Sequence, residues 1–188
     1  SRIMVVEIMG NKAGWLTLYS GIAGGADVIL IPEIPYNIES VAAACQKRAD
    51  LGKPFAILTV AEGCFDSDEA QMKKKDRLKL RQDNGETTAT ARIARQVQEL
   101  TGMEARTVIP GHTLRGGSPS AYDRILATQF GAKAAELIAA EKYGRTVAKI
   151  KNSITHNALS EVANKTKFVP ENDERVITAR SIGISFGD

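Results

Sequence analysis

Cysteine is nearly absent from this chain: Cys45 and Cys64 are the only two among 188 residues. Two thiols cannot form the disulfide framework of a small secreted domain, and they fit a reducing cytoplasm. Neither Cys64 nor His156 has companions at metal-ligand spacing, so a zinc-ribbon class is excluded and no metal is assigned to them. Long apolar runs are also missing. None approaches the roughly 18 residues of a membrane-spanning helix. The first residues lack the basic-then-apolar layout of a secretion signal. Neither sign of charge dominates: 25 basic against 22 acidic side chains leave a formal charge of +3. That mild excess suits an anionic small molecule and does not demand nucleic acid. What remains is ordinary for a folded chain, with 43% hydrophobic and 25% charged residues over about one domain's length.

The chain opens abruptly. Residues 2–9 (Arg-Ile-Met-Val-Val-Glu-Ile-Met) read at once as a strand, without an initiating Met. Either a Met before Ser1 has been removed or the chain is cut from a larger protein. Beyond residue 10, helix and strand patterns alternate. Residues 12–24 carry a broad apolar face ended by Gly24-Gly25, and Asp27 to Ile31 form a buried β-branched run stopped by Pro32. A helix is expected from Ile38 to Leu51, a strand from Phe55 to Val60, a helix over 86–101 and a strand from Arg106 to Ile109. Ser118-Pro119 reads as N-cap and first turn of a helix reaching about Ala140. A strand over 146–150, a short helix over 155–163 and a less regular tail (164–188) complete the chain. The expectation is one α/β domain over 1–188: a Rossmann-like, mostly parallel sheet with helices on both faces. Ligands in such sheets bind at the C-terminal ends of the strands. Met9-Gly10-Asn11, Glu62 and His112 to Arg115 should therefore gather along one edge.

The segment from Arg106 to Pro119 is the most informative. It places Arg106, His112 and Arg115 in a glycine-rich loop leading into a capped helix. The arginine fork matches phosphate oxygens, Gly116 and Gly117 let the backbone pass close to a ligand, and a helix start attracts anions. On the residues alone, the loop is equally a phosphate site and a solvated turn. Glu62, directly after a strand, is a ligand-hydroxyl acceptor or a solvated loop residue. The turn from Met9 to Gly14 lacks both dinucleotide and P-loop fingerprints, and close helix–strand packing explains it equally. Residues 63–84 form a charged flap whose basic run includes Lys73, Lys74, Lys75, Arg77, Lys79 and Arg81. No aromatic residue interleaves that run, so it reads as mobile and solvated rather than as a base-stacking surface.

Three ordered segments resemble the second half of a phosphofructokinase: residues 5–14 (VVEIMGNKAG), residues 21–33 (GIAGGADVILIPE), and residues 111–119 (GHTLRGGSP) with Tyr122-Asp123-Arg124. The similarity runs from about residue 2 to residue 150. The resemblance implies that Arg106, His112 and Arg115 surround the phosphate of fructose 6-phosphate, and that Arg2 reaches the sugar phosphate of a neighbouring subunit. It places Met9 and Gly10 along the sugar and Glu62 on its hydroxyls. Asn11 stands where the family usually has an arginine assisting the phosphoryl donor. Of the family's effector lysines around Leu51 and Pro54, only Lys53 remains. Between Glu62 and Arg106 the chain is about twenty residues longer than the compact bacterial enzymes.

The family's Gly-Gly-Asp donor loop and Thr-Ile-Asp-Asn-Asp segment, with the general base and the carboxylates near magnesium, do not occur. The implied protein is a C-terminal fragment of a cytoplasmic 6-phosphofructokinase. It would use Mg2+ with ATP or pyrophosphate, the missing N-terminal half and a homodimer or homotetramer, with no nucleic acid and no membrane. No magnesium ligand and no catalytic residue is assigned within the chain. The alternative is a stand-alone, non-catalytic sugar-phosphate-binding or regulatory module.

Overall fold

The computed structural model describes residues 2–53, 55–85 and 88–188. The reading at Pro54 and the first two positions of the helix expected over 86–101 lie outside them. The chain divides into two compact units, Ser1–Leu114 with Lys167–Asp188, and Arg115–Thr166.

The first unit is a parallel sheet of β1 (Arg2–Ile8), β2 (Val28–Leu30), β3 (Phe55–Ala61) and β4 (Glu104–Val108), ordered β2-β3-β1-β4. The connections are α1 (Trp15–Gly24), α2 (Ile38–Asp50), α3 (Lys74–Asp83) and α4 (Ala89–Thr101). Alternation decides the faces. Ile3 and Val5 of β1, Leu58 and Val60 of β3, and Val28 and Leu30 of β2 pack with Val41, Ile93 and Val97 of α2 and α4. Across the sheet, Ile29 joins Leu18 of α1 and Val176 and Ala179 of α7 (Glu174–Ser181). Gly25 ends α1 in the left-handed conformation, its N–H returning to Gly21 and Ile22, which a glycine adopts without steric cost.

Residues 167–188 differ from the irregular tail that was expected. Besides α7, they supply buried Val169, Ile184 and Phe186. The Ser185 carbonyl accepts from Ile29 N–H, and Ser185 N–H donates to Asp27, so this segment lines the β2 edge. Its apolar residues are spaced too irregularly to show a period, and their burial depends on a partner over a hundred residues away.

In the second unit, α5 (Ala121–Ala139) begins two residues later than expected. Ser120, not Ser118, is the N-cap, in a reciprocal box with Asp123, and the capping box outweighs the Ser-Pro signal. The strand β5 (Arg145–Ile150) pairs antiparallel with β6 (Ser153–Ala158), where a helix over 155–163 was expected. Two intervening residues suffice for a hairpin, and Ile154 and Thr155 suit a strand. Only the single turn α6 (Leu159–Val162) is helical there.

Candidate functional site at the strand ends

The C-terminal ends of β1 and β3 meet as the parallel rule requires. Glu62 N–H continues the ladder to Ile8 C=O at 2.9 Å. The Glu62 carboxylate then turns back: Oε1 accepts from Gly10 N–H at 3.0 Å and from Asn11 N–H at 2.6 Å. Oε2 has no hydrogen-bond partner among the described residues. Asn11 sits in the left-handed region, φ 55°, which asparagine tolerates better than most side chains. Gly63 completes the interlock. A Cβ built there would stand 1.9 Å from the Asn11 carbonyl oxygen, so only glycine admits this approach.

Beside this clamp opens a cleft of about 1280 Å³, lined by Asn11, Lys12, Glu33, Glu62, Phe65 and, from α3, Arg77 among others. Glu33 is committed to structure. It accepts Gly14 N–H at 3.0 and 3.1 Å and Val169 N–H at 2.9 Å, stapling α1 to the C-terminal segment. Glu7 accepts the Thr90 hydroxyl at 2.7 Å.

The segment over 63–84 is not wholly the solvated flap that its charge run implied. Lys73, Lys75 and Lys79 are exposed, but Glu69 is only 2% exposed. Glu69 takes Arg81 on both oxygens, at 2.8 and 2.7 Å, and Arg92 at 2.6 Å; Arg92 also donates to the Tyr36 hydroxyl. Burial by itself raises the Glu69 carboxyl, but the hydrogen bonds from Arg81 and Arg92 outweigh it and hold it below its ordinary value. A buried carboxylate is tolerated when it is paired and bonded in this way. Beneath it Cys64 is buried, and its thiol is pushed up to about 12 by desolvation. Nothing local in the sequence marks this network, because the partners stand 12 and 23 residues apart.

Arg106 meets a carboxylate of its own strand. Its guanidinium bonds Glu104 at 2.7 and 2.8 Å, and Arg2 meets the same carboxylate at 3.3 Å. Those hydrogen bonds lower the Glu104 carboxyl. Arg2 is in register with Glu104, at the beginning of β1 and β4. The structure thus joins Arg106 to Arg2 near the starts of the strands, and not to Glu62 at their ends. Three exposed partners of this kind add little stability, so the pair opens easily to another anion. The signal was in the sequence: Glu104 and Arg106 are two apart on a strand and share a face.

His112 lies in the turn that follows β4, within the 3-10 segment Gly111–Arg115, and is exposed. Gly111 at φ 56° opens the turn, held by Thr113 N–H to Pro110 C=O at 3.1 Å. Arg115 begins the second unit and is likewise exposed. Among the described residues no group of three or more His, Cys, Asp or Glu side chains is placed to hold a metal ion. No helix among them is long and apolar enough to cross a membrane.

A parallel α/β sheet with a cleft at its strand ends is the arrangement in which such sheets bind small ligands. Sequence comparison makes the class specific. The family profile described as Phosphofructokinase matches residues 1–138, and the chain belongs to that family. It is 48% identical over 188 residues to an ATP-dependent 6-phosphofructokinase of Spirochaeta thermophila, covering all of this chain and 51% of that protein. It is 42% identical over 173 residues to a pyrophosphate–fructose 6-phosphate 1-phosphotransferase of Amycolatopsis methanolica, covering 90% of this chain and 49% of the relative. The chain spans about half the length of the curated relatives it matches. Among solved structures, phosphofructokinase from Saccharomyces cerevisiae superposes with a TM-score of 0.69 at 31% identity, over 85% of this chain and 20% of that one.

Proposed function

We propose that this chain is the sugar-phosphate-binding half of a 6-phosphofructokinase. It would present fructose 6-phosphate so that the 1-hydroxyl attacks the terminal phosphoryl group of ATP or pyrophosphate. The P–O bond to the departing ADP or phosphate breaks, and the hydroxyl proton passes to a base in the half that the relatives add. The observation that carries the reading is the clamp on Glu62. Two amides occupy one oxygen and fix the carboxylate, and the other oxygen is left to accept sugar hydroxyls beside Met9 and Gly10. His112 and Arg115 take the 6-phosphate by their match to the family loop.

Arg2 and Arg106 act as a pair. Both are exposed and share Glu104, a weak partner that a phosphate displaces; β4 is an edge strand, suited to reaching a second subunit's sugar phosphate. A homodimer or homotetramer is therefore the working assembly, and the two buried thiols suit a cytoplasmic setting. Among the described residues no group of three or more His, Cys, Asp or Glu side chains is gathered to hold Mg2+. Mg2+ would arrive with the donor and be held by the other half.

The test is steady-state kinetics on the enzyme that joins this chain to the relatives' other half. Arg115→Ala should raise the half-saturating fructose 6-phosphate concentration about ten- to a hundredfold, from loss of a charge-assisted bond. The donor's KM should stay nearly unchanged, and Lys75→Ala should alter neither. An Arg115→Ala enzyme with intact sugar-phosphate saturation would overturn the assignment.

A further inference from the structure

The inserted helix α3 forms one wall of the cleft, and its geometry there is specific. Arg81, Leu78 and Arg77 face the cleft, whereas Lys75 and Lys79 are exposed on the helix. Arg81 is locked on the buried Glu69 carboxylate and to the Cys64 carbonyl at 3.0 Å. That lock sets the rotation of α3, and one turn earlier it brings Arg77 over the cleft. Arg77 lies over the Phe65 ring, its guanidinium carbon 4.1 Å from the ring centre. A stacked guanidinium is fixed in plane while its N–H edges stay available, the arrangement that suits a phosphate.

The cations of the cleft differ in how they are paired. Of its four carboxylates, Glu7, Glu33 and Glu62 accept hydrogen bonds from the fold, and Glu171 is exposed. Arg81 is neutralised by Glu69. Arg77 and Lys12 have no carboxylate partner among the described residues. Lys12 follows Asn11, whose amide is half of the Glu62 clamp. Two cations without counter-ions thus border a cleft beside the carboxylate read as the sugar's acceptor.

We infer that Arg77, with Lys12, forms an anion subsite that holds a phosphate group of the phosphoryl donor, so that the inserted helix is part of the donor site. The inference rests on the phosphotransferase reading: of the two phosphorylated substrates, the sugar phosphate is assigned to the His112–Arg115 turn, and these cations serve the other. The insertion then acts as a specificity element, supplying positive charge from an element outside the sheet.

Calorimetric binding of MgATP, of magnesium pyrophosphate and of fructose 6-phosphate, each alone, to the enzyme joined to its other half tests this. Arg77→Gln should weaken the donor it binds about ten- to a hundredfold and leave fructose 6-phosphate within about twofold. Arg77→Lys, which keeps charge but loses the planar fork, should fall between, and its retained helicity by circular dichroism guards against misfolding. Lys79→Ala should match the parent. Donor binding within about twofold of the parent in Arg77→Gln overturns the inference, as does a loss that falls on fructose 6-phosphate instead. A silent Arg77 beside a sensitive Arg115 sinks this subsite alone. A silent Arg115 beside a sensitive Arg77 sinks the sugar-phosphate assignment alone.

Discussion

Gly63 shows how much one residue can decide. The Asn11 carbonyl occupies the space where any side chain would begin. Gly63→Ala must push the turn over 9–11 away from Glu62, break the double amide clamp and cost about 1–3 kcal/mol as overpacking. Urea unfolding reads the stability loss, and a raised KM for fructose 6-phosphate reads the displaced carboxylate. Cys64 gives a second check at this scale. A buried thiol pushed up to about 12 holds almost no thiolate at pH 8, so an aromatic disulfide reagent should find neither Cys64 nor the buried Cys45 until denaturant is added. Rapid reaction of the native protein would show that the core around Glu69 opens.

The element on which most turns is α3. Its charge run is polar enough to be read as a solvated flap, yet Arg81 is drawn inward by Glu69, and Arg92 of α4 approaches the same carboxylate from the other side. Glu69→Ala leaves two partly buried guanidinium groups without their main acceptor and should destabilise by about 3–5 kcal/mol. The pH dependence follows in sign. The folded Glu69 carboxyl lies below the ordinary 4.5, so its contribution is complete above about 4.5 and is lost as pH falls through the folded value. Glu69→Gln should remove that part of the acid-induced loss, measured as denaturation midpoints between pH 3 and pH 7. A midpoint profile parallel to the parent's would deny the network its role. The lesson for reading such runs is that a buried counter-ion more than one helix turn away leaves no periodic mark.

For the whole molecule, the prediction concerns what this chain does alone. On the proposed reading it carries the acceptor side of the site, with the general base and the donor's metal carboxylates in the other half. Chromatographically pure 188-residue chain should turn over fructose 6-phosphate with neither ATP nor pyrophosphate. Turnover above a mock purification would contradict the division of labour proposed here. In the joined enzyme, Arg106→Ala and Arg2→Ala should each lower activity. Mixing Arg106→Ala with an Arg115→Ala partner should restore some of it, because the two arginines serve different copies of the site. Absence of complementation in subunits shown to exchange would place Arg106 in its own subunit's site.

Much of this protein was legible in the chain itself. Short β-branched runs separated by amphipathic helices pair through right-handed crossovers, which dictates a parallel sheet with Gly10, Asn11 and Glu62 meeting at its strand ends. The loop from Gly111 to Pro119 carried the family resemblance in contiguous residues. Three features needed the tertiary structure. The antiparallel β5–β6 hairpin depended on a two-residue turn winning over a weak helical pattern. The partnership of Arg106 with Arg2 came from strand register, which sequence order does not contain. The packing of Arg77 on Phe65 and of Arg81 on Glu69 turned a run of charges into a cleft wall. Local patterns record which face of an element is apolar; which distant charge meets it is decided by the fold.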